Sequence, residues 1–200
     1  MRRAVLLILL TGAVALSLAA LALAAIPPRS LVAKPSEMPG FANARVRLHS
    51  GDSPSAYAKN VLHVKPRKLS KEASRLARQG LREGVQELLS ASQGEALSFT
   101  VVFRTAKQAK RELQLSSSED VKAQGAAEIK QFAIPAIPGA FAFTAAEPGK
   151  PGAAGNVLFV VGRCYAVVGD SLRTGTAEQA SAVPTQGGLA VYKRLEHRCG

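Results

Sequence analysis

The sequence predicts an α+β fold in which helices pack on one face of a small antiparallel sheet, preceded by an N-terminal apolar helix. The strongest evidence is a hairpin. Residues 157–161 and 164–168 are rich in strand-forming residues and flank Gly162-Arg163, a Gly-X pair typical of a two-residue type II′ turn. The second observation is the order of the predicted elements: helix, strand, helix, helix, three strands and a final helix.

The first 26 residues predict an export signal or a membrane anchor. Two arginines follow Met1, and residues 4–26 then carry no charge and are rich in Leu, Ala and Val. This order leaves the N-terminus in the cytosol and sends the rest of the chain across the membrane. Small residues favour cleavage near Ala25, whereas an apolar run longer than the roughly 18 residues that span a bilayer favours a retained anchor. Both outcomes remain open.

After this leader the chain divides into a linker and one domain. Residues 27–55 are rich in Pro, Ser and Gly and predict a linker that lets the domain stand off the membrane, with one short strand at 44–49. Residues 56–200 have the length of a single domain with its own core. The sequence therefore predicts one extracytoplasmic α+β domain.

The first predicted helix extends from Ser70 to Ser92, where apolar residues recur at helical spacing. Gly80 and Gly84 lie within it and indicate either close packing or a break into two shorter helices, because each glycine costs a helix about 1 kcal/mol relative to alanine. The helix also carries basic residues at steps of three and four, which predicts a cationic stripe on one side.

The other elements follow in order. Residues 97–104 predict a strand, and a capping-box pattern at Thr105 opens a helix that ends near residue 115. A third helix is predicted to end near residue 132. Residues 140–145 predict a strand with both of its phenylalanines on one face, and the closing helix begins near Gln186.

Two cysteines, Cys164 and Cys199, predict a disulfide that joins the C-terminal tail to the hairpin in an oxidising compartment. The alternative is two unrelated thiols. With His197 the only imidazole nearby, the cysteines do not have the spacing of a metal site, and no metal or cofactor is expected.

The charge balance predicts an acidic partner. The net charge is +12 and the pI is about 10.2. Outside the cytosol nucleic acid is a poor candidate, so an anionic membrane surface or an acidic envelope polymer is predicted instead. The alternative is a solvated face on which Glu72, Glu83 and Glu87 partly compensate the charge. The predicted anion-binding residues are Lys65, Arg67, Lys68, Lys71, Arg75, Arg78 and Arg82.

Two serine strings suggest hydrolase chemistry, but their contexts argue against it. Residues 169–172 read Gly-Asp-Ser-Leu, the motif around the nucleophile of the GDSL hydrolases. That family places an Asp three residues before its histidine, whereas Arg194 holds that position relative to His197. The string is therefore interpreted as the end of a hairpin strand in a turn, and Ser53 as part of a solvated turn.

Residues 136–145 and 156–169, preceded by residues 98–113, together resemble a loose group of exported actinobacterial proteins. In that group a strand and helix lead to a Pro-Gly-Ala strand and then to a hairpin with a Gly-Arg-Tyr-like turn. The resemblance covers about half of the chain and implies the fold only.

These observations predict a non-enzymatic domain that binds or senses a partner at the cell envelope, with no catalytic residues. The alternatives are a secreted hydrolase of unfamiliar design and a structural subunit associated with the membrane.

Overall fold

The computed structural model describes residues 28–123 and 127–200. The predicted apolar helix and its cleavage site lie outside the described residues. Within the described ranges the chain forms an antiparallel sheet of seven strands in the order β1-β2-β3-β7-β6-β5-β4. The strands are β1 (Arg45–Gly51), β2 (Leu81–Ala91), β3 (Gly94–Phe103), β4 (Glu128–Phe132), β5 (Phe141–Ala146), β6 (Ala153–Val161) and β7 (Cys164–Leu172).

Helices flank the sheet. They are α1 (Pro54–Asn60), α2 (Pro66–Gln79), α3 (Ala106–Ala123), α4 (Ala177–Ala180) and α5 (Ala182–Cys199), with two short 3-10 turns at Pro28–Ser30 and Pro35–Glu37. None of the helices in residues 28–123 and 127–200 has both the length and the apolar character needed to cross a membrane. The α+β class predicted from the sequence is confirmed.

The predicted hairpin is confirmed as β6 and β7, which pair up to Val161 and Cys164 across a two-residue turn. Gly162 opens this turn with a φ of +51°. A β-carbon at this position would lie 1.6 Å from the carbonyl oxygen of Cys199. Glycine is therefore required here both for backbone conformation and for the close approach of the C-terminal helix.

Helices cover both faces of the sheet, so the prediction of helices on one face is wrong. The α5 face is covered by α4, α5 and residues 29–44, which we call the arm; here α5 side chains such as Val191 and Leu195 pack on the sheet. The three-helix face is covered by α1, α2 and α3, through residues such as Leu76 and Ala109. Because β6 and β7 are apolar at successive positions, side chains on both faces of these strands need a cover.

The helix predicted over residues 70–92 ends at Gln79. Gly80 adopts a left-handed φ of +89°, and its N–H bonds to the carbonyls of Leu76 and Ala77, which closes α2. Residues after Gly80 then form β2, which pairs with both β1 and β3. Gly84 has the predicted close-packing role, since a β-carbon there would lie 2.4 Å from the Tyr57 ring.

The predicted linker, residues 27–55, instead contributes to the core. The arm buries Leu31, Val32, Met38 and Phe41 against the sheet, and the predicted short strand is part of β1. Arg194 of α5 fixes the arm through two bonds to the Glu37 carboxylate, at 2.6 and 2.9 Å, and one to the Val32 carbonyl at 2.7 Å.

The remaining helices begin or end at residues other than those predicted. The Thr105 capping box is confirmed, with Thr105 and Gln108 bonded reciprocally at 3.1 and 3.3 Å. The helix it opens, α3, continues to Ala123, and residues 128–132 form the edge strand β4 instead of helix. The closing helix, α5, begins at Ala182, before Gln186.

The predicted disulfide is present. Cys164, the first residue of β7, is bonded to Cys199, the last residue of α5, with 5.8 Å between the α-carbons. The bond fixes the C-terminal end of α5 against the centre of the sheet.

Candidate anion-binding site

The structure places most of the predicted anion-binding residues on one helix. Lys65 occupies the N-cap position of α2 without a side-chain cap bond, and Arg67, Lys68, Lys71, Arg75 and Arg78 lie along the helix. Arg82 does not belong to this stripe. Because α2 ends at Gln79, Arg82 lies at the start of β2. There it is the extra residue of a β-bulge.

Arg75 and Arg78 line a cleft that the sequence did not predict. The cleft lies between α2 and α3 and has a volume of about 240 Å³. Arg111 of α3 contributes a third guanidinium to it, so that arginines from two helices face one opening. The remaining lining residues are Gln79, Gln108, Glu112 and Leu115. We call this the arginine cleft.

The surroundings of the cleft are strongly cationic. Residues 65–82 and 104–115 together hold eleven lysines and arginines but only two acidic residues, Glu72 and Glu112. Much of the positive net charge of the chain is therefore concentrated on the three-helix face. Such a local excess attracts polyanions and anionic surfaces over about a Debye length, which is roughly 8 Å at physiological salt.

Hydrogen bonds orient one of the three arginines. Arg75 donates from Nε to Glu72 at 3.0 Å and from Nη1 to Gln79 at 2.8 Å. The hydrogen bond from Arg75 lowers the pKa of Glu72, and the same bond raises the pKa of Arg75. Arg78 and Arg111 have no ion pair with the described residues, which leaves their donors available to an anion.

Glu112 sits among these cations as a partly buried acid. Burial raises its pKa, an effect that the nearby Arg75 charge opposes and the Glu119 charge reinforces. The pKa therefore lies above the usual glutamate value. Protonation of Glu112 would remove a negative charge beside the cleft, so lowering the pH should strengthen the attraction of the cleft for anions.

Two exposed leucines flank the arginine cleft. Leu115 lines the cleft itself and is 44% exposed. Leu62, between α1 and α2, is 42% exposed and lines an adjoining hollow of about 140 Å³ that shares Arg75, Gln79 and Glu112 with the cleft. Cations and large apolar side chains thus occupy one continuous surface.

Sequence reasoning missed Arg111, Leu62 and Leu115. A signal for part of this surface was present, because Lys107, Arg111 and Leu115 recur every four residues and therefore share one side of α3. What the spacing did not show is that this side of α3 lies beside α2.

Both serine strings belong to secondary-structure elements. Ser53 is the N-cap of α1, and its hydroxyl accepts a hydrogen bond from the Ala56 N–H at 3.2 Å. Ser171 is exposed near the end of β7. Gly169 and Asp170 do not form the turn that was predicted for them, because β7 continues to Leu172.

The histidines form one pair. His49 and His63 lie edge to face with 5.1 Å between ring centroids, although their sequence spacing did not indicate contact. No group of three or more metal-ligating side chains occurs in residues 28–123 and 127–200.

No protein-family description matches the sequence, and no curated protein matches it. Among solved structures, the chain is similar to the extracellular domain of PknH from Mycobacterium tuberculosis, with 13% sequence identity and a TM-score of 0.43 over 76% of this chain and 78% of that chain. Similarity at this level does not show a shared fold or function.

Proposed function

We propose that this chain is an extracytoplasmic, non-enzymatic domain that docks onto an anionic membrane surface through the arginine cleft. The observation that carries the proposal is the juxtaposition of three arginines from two helices with two exposed leucines. Surfaces that rest on anionic lipid combine cations, which meet the headgroups, with apolar side chains, which enter the acyl boundary.

The size of the electrostatic contribution supports this assignment. A lysine or arginine close to an anionic leaflet contributes about 1 kcal/mol. Engagement of a few of the eleven cations on the two segments would therefore outweigh the repulsion from Glu72 and Glu112. Complete burial of a leucine side chain adds roughly 1.5 to 3 kcal/mol. Weak, salt-sensitive docking is the expected result.

The location outside the cytosol is supported by two independent features. The first 26 residues have the order of a signal or an anchor, and the Cys164–Cys199 disulfide is typical of proteins in oxidising compartments. Cleavage of the leader would give a peripheral protein. Retention would give an anchored one that is already close to the surface on which it docks.

The experiment uses the full chain in nanodiscs made of phosphatidylcholine alone or with phosphatidylglycerol. Hydrogen exchange of α2 and of the first half of α3 is followed at low and high salt. We expect anionic lipid to slow exchange in both helices at low salt, and high salt to remove that protection because it screens the cations.

A pair of triple variants tests the site itself. Charge reversal in the cleft (Arg75→Glu, Arg78→Glu and Arg111→Glu) should abolish the protection. A control on other surfaces (Arg173→Glu, Lys193→Glu and Arg198→Glu) changes the net charge equally and should preserve it. Protection that is equal in neutral and anionic discs, or that survives the cleft reversal, would overturn the proposal.

An acidic envelope polymer is the competing partner and is distinguished by a soluble probe. Polyglutamate is added to the protein in neutral discs. If it slows exchange in α2 and α3 whereas anionic lipid does not, the cleft binds polymer and membrane docking is wrong.

A further inference from the structure

A second cavity lies on the α5 face, on the other side of the sheet from the arginine cleft. It has a volume of about 440 Å³ and opens between the arm and the edge of the sheet formed by β1 and β2. This volume is in the range of small-molecule sites in proteins. The lining residues are Arg29, Lys34, Pro35, Ser36, Ala42, Val46 and Glu87. We call it the Glu87 cavity.

Glu87 is the unusual residue of this cavity. It lies on β2, where it pairs in register with Leu48 and Ser98, and it is only 3% exposed. Its Oε1 atom is buried and has no hydrogen-bond partner among the described residues. A buried polar atom without a partner costs about 1 to 3 kcal/mol, and more if it is charged.

Glu37, a second carboxylate on the same face, shows how this fold satisfies a purely structural glutamate. Glu37 accepts bonds from two nitrogens of Arg194 and from the backbone N–H of Lys34, the last at 2.7 Å. Burial alone would raise the pKa of Glu37, but these bonds outweigh it and lower the pKa. Glu87 has no such set of donors among the described residues, and burial raises its pKa.

The other walls of the cavity are cationic and apolar. Arg29 and Lys34 bring two positive groups to the cavity that holds the Glu87 carboxylate. Val46, which is 36% exposed, and Pro35 provide apolar surface beside them. The cavity thus combines a buried negative group, a rim with positive charge and an apolar wall.

We propose that the Glu87 cavity binds a small amphoteric molecule of the ω-amino-acid type. Its protonated amine donates to the Glu87 carboxylate, its anionic group lies beside Arg29 and Lys34, and its aliphatic chain packs on Val46 and Pro35. The amine supplies the donor that Oε1 lacks, and ion pairing compensates the buried charge.

This site is independent of the proposed membrane docking. The two sites lie on opposite faces of the sheet, so one ligand does not cover the other. Because Lys34 and Pro35 belong to the arm, an occupant would hold the arm against β1 and β2.

The test titrates the full chain by calorimetry with glycine, 4-aminobutanoate and 6-aminohexanoate. Hexylamine and hexanoate serve as matched probes that each carry only one of the two charged groups. We expect at least one ω-amino acid to bind about tenfold more tightly than either single-group probe, since loss of a charged contact of about 1.4 kcal/mol changes affinity by that factor.

Variants assign the binding to this cavity. Glu87→Gln, which keeps the size of the side chain, should weaken the best ω-amino acid at least about tenfold while thermal unfolding shows an intact fold. Glu95→Gln, an exposed position on the adjacent strand, should leave affinity unchanged. Absence of binding by all three amino acids, equal binding of hexylamine, or full affinity in Glu87→Gln would each overturn the proposal.

Discussion

The two faces of the sheet differ in where their polar and charged side chains lie. On the α5 face, polar side chains are inside: Glu87, Ser98, Thr100, Thr144 and Asp170 are buried, and strand alternation turns each of them toward α5 and the arm. On the three-helix face, the buried side chains are apolar or aromatic and the cations project outward from α2 and α3.

This difference indicates different kinds of sensitivity. Buried carboxylates respond to protons and to small ligands that reach them, because desolvation makes their charged form costly. Exposed cations respond to salt and to charged surfaces, because water and ions screen them. We therefore predict that pH and covalent chemistry change stability mainly through the α5 face, whereas ionic strength and lipid change binding mainly through the three-helix face.

The largest expected effect comes from the disulfide. It closes a sequence separation of 35 residues, and the chain-entropy estimate for such a loop is about 4 kcal/mol. Replacing both Cys164 and Cys199 by alanine should lower the free energy of unfolding in urea by about that amount. Hydrogen exchange should increase more in α5 than in α2, and an equal increase in the two helices would contradict the contrast between faces.

Asp170 should make stability depend on pH. It is 6% exposed, and burial raises its pKa from 3.8 to about 7. The backbone N–H groups of Gly155 and of Asp170 itself lie near the carboxylate and lower the pKa somewhat, although neither oxygen has a hydrogen bond of ordinary geometry among the described residues.

Between these two pKa values the folded protein holds a proton that the unfolded chain has released. The free energy of unfolding should therefore decrease as pH rises from about 4 to about 7, by up to roughly 4 kcal/mol. Asp170→Asn should remove this decrease, so the variant is more stable than the native protein at pH 8 and similar to it near pH 4. Denaturation midpoints across this range measure the difference, and parallel pH profiles for the two proteins would refute the assignment.

A smaller difference in stability is expected when two ion pairs on opposite faces of the sheet are removed in turn. Arg194 bonds Glu37 and the Val32 carbonyl from a half-buried position. Arg194→Ala should therefore lower the free energy of unfolding by about 2 kcal/mol and loosen the arm. Arg75 pairs with Glu72 in solvent, so Arg75→Ala should change stability by less than about 0.5 kcal/mol. Thermal unfolding compares the two variants directly, and equal costs would show that the faces do not differ in this respect.

Local sequence signals predicted the local parts of the fold. The Gly162-Arg163 turn, the Thr105 capping box and the strand before it all depend on neighbouring residues. The boundary between α2 and β2 was missed because Leu81, Val85 and Leu89, four apart, suit one side of a helix. In the structure only Val85 and Leu89 share a face of β2, since the bulge at Arg82 separates Leu81 from them. Gly80 was the available signal, since glycine commonly ends a helix.

Features that depend on the packing of distant segments were harder to predict from the sequence. Arg75 and Arg78 could be selected from their spacing, but the approach of Arg111 depends on where the sheet places α3 beside α2. Glu87 was considered only as a compensating surface charge. Its burial depends on the arm, a Pro-containing segment without periodicity, whose Leu31 and Met38 belong to the same buried cluster as Val85 and Leu89 of β2.

The most direct test of the central claim asks which face meets an anionic membrane. Hydroxyl-radical labelling of the full chain in neutral and anionic nanodiscs compares Leu62 and Leu115, beside the arginine cleft, with Val46, which is also exposed but lies on the α5 face. Docking through the arginine cleft predicts that anionic lipid lowers labelling of both leucines and leaves Val46 unchanged. Equal labelling of the leucines in the two kinds of disc, or protection of Val46 instead, would contradict it.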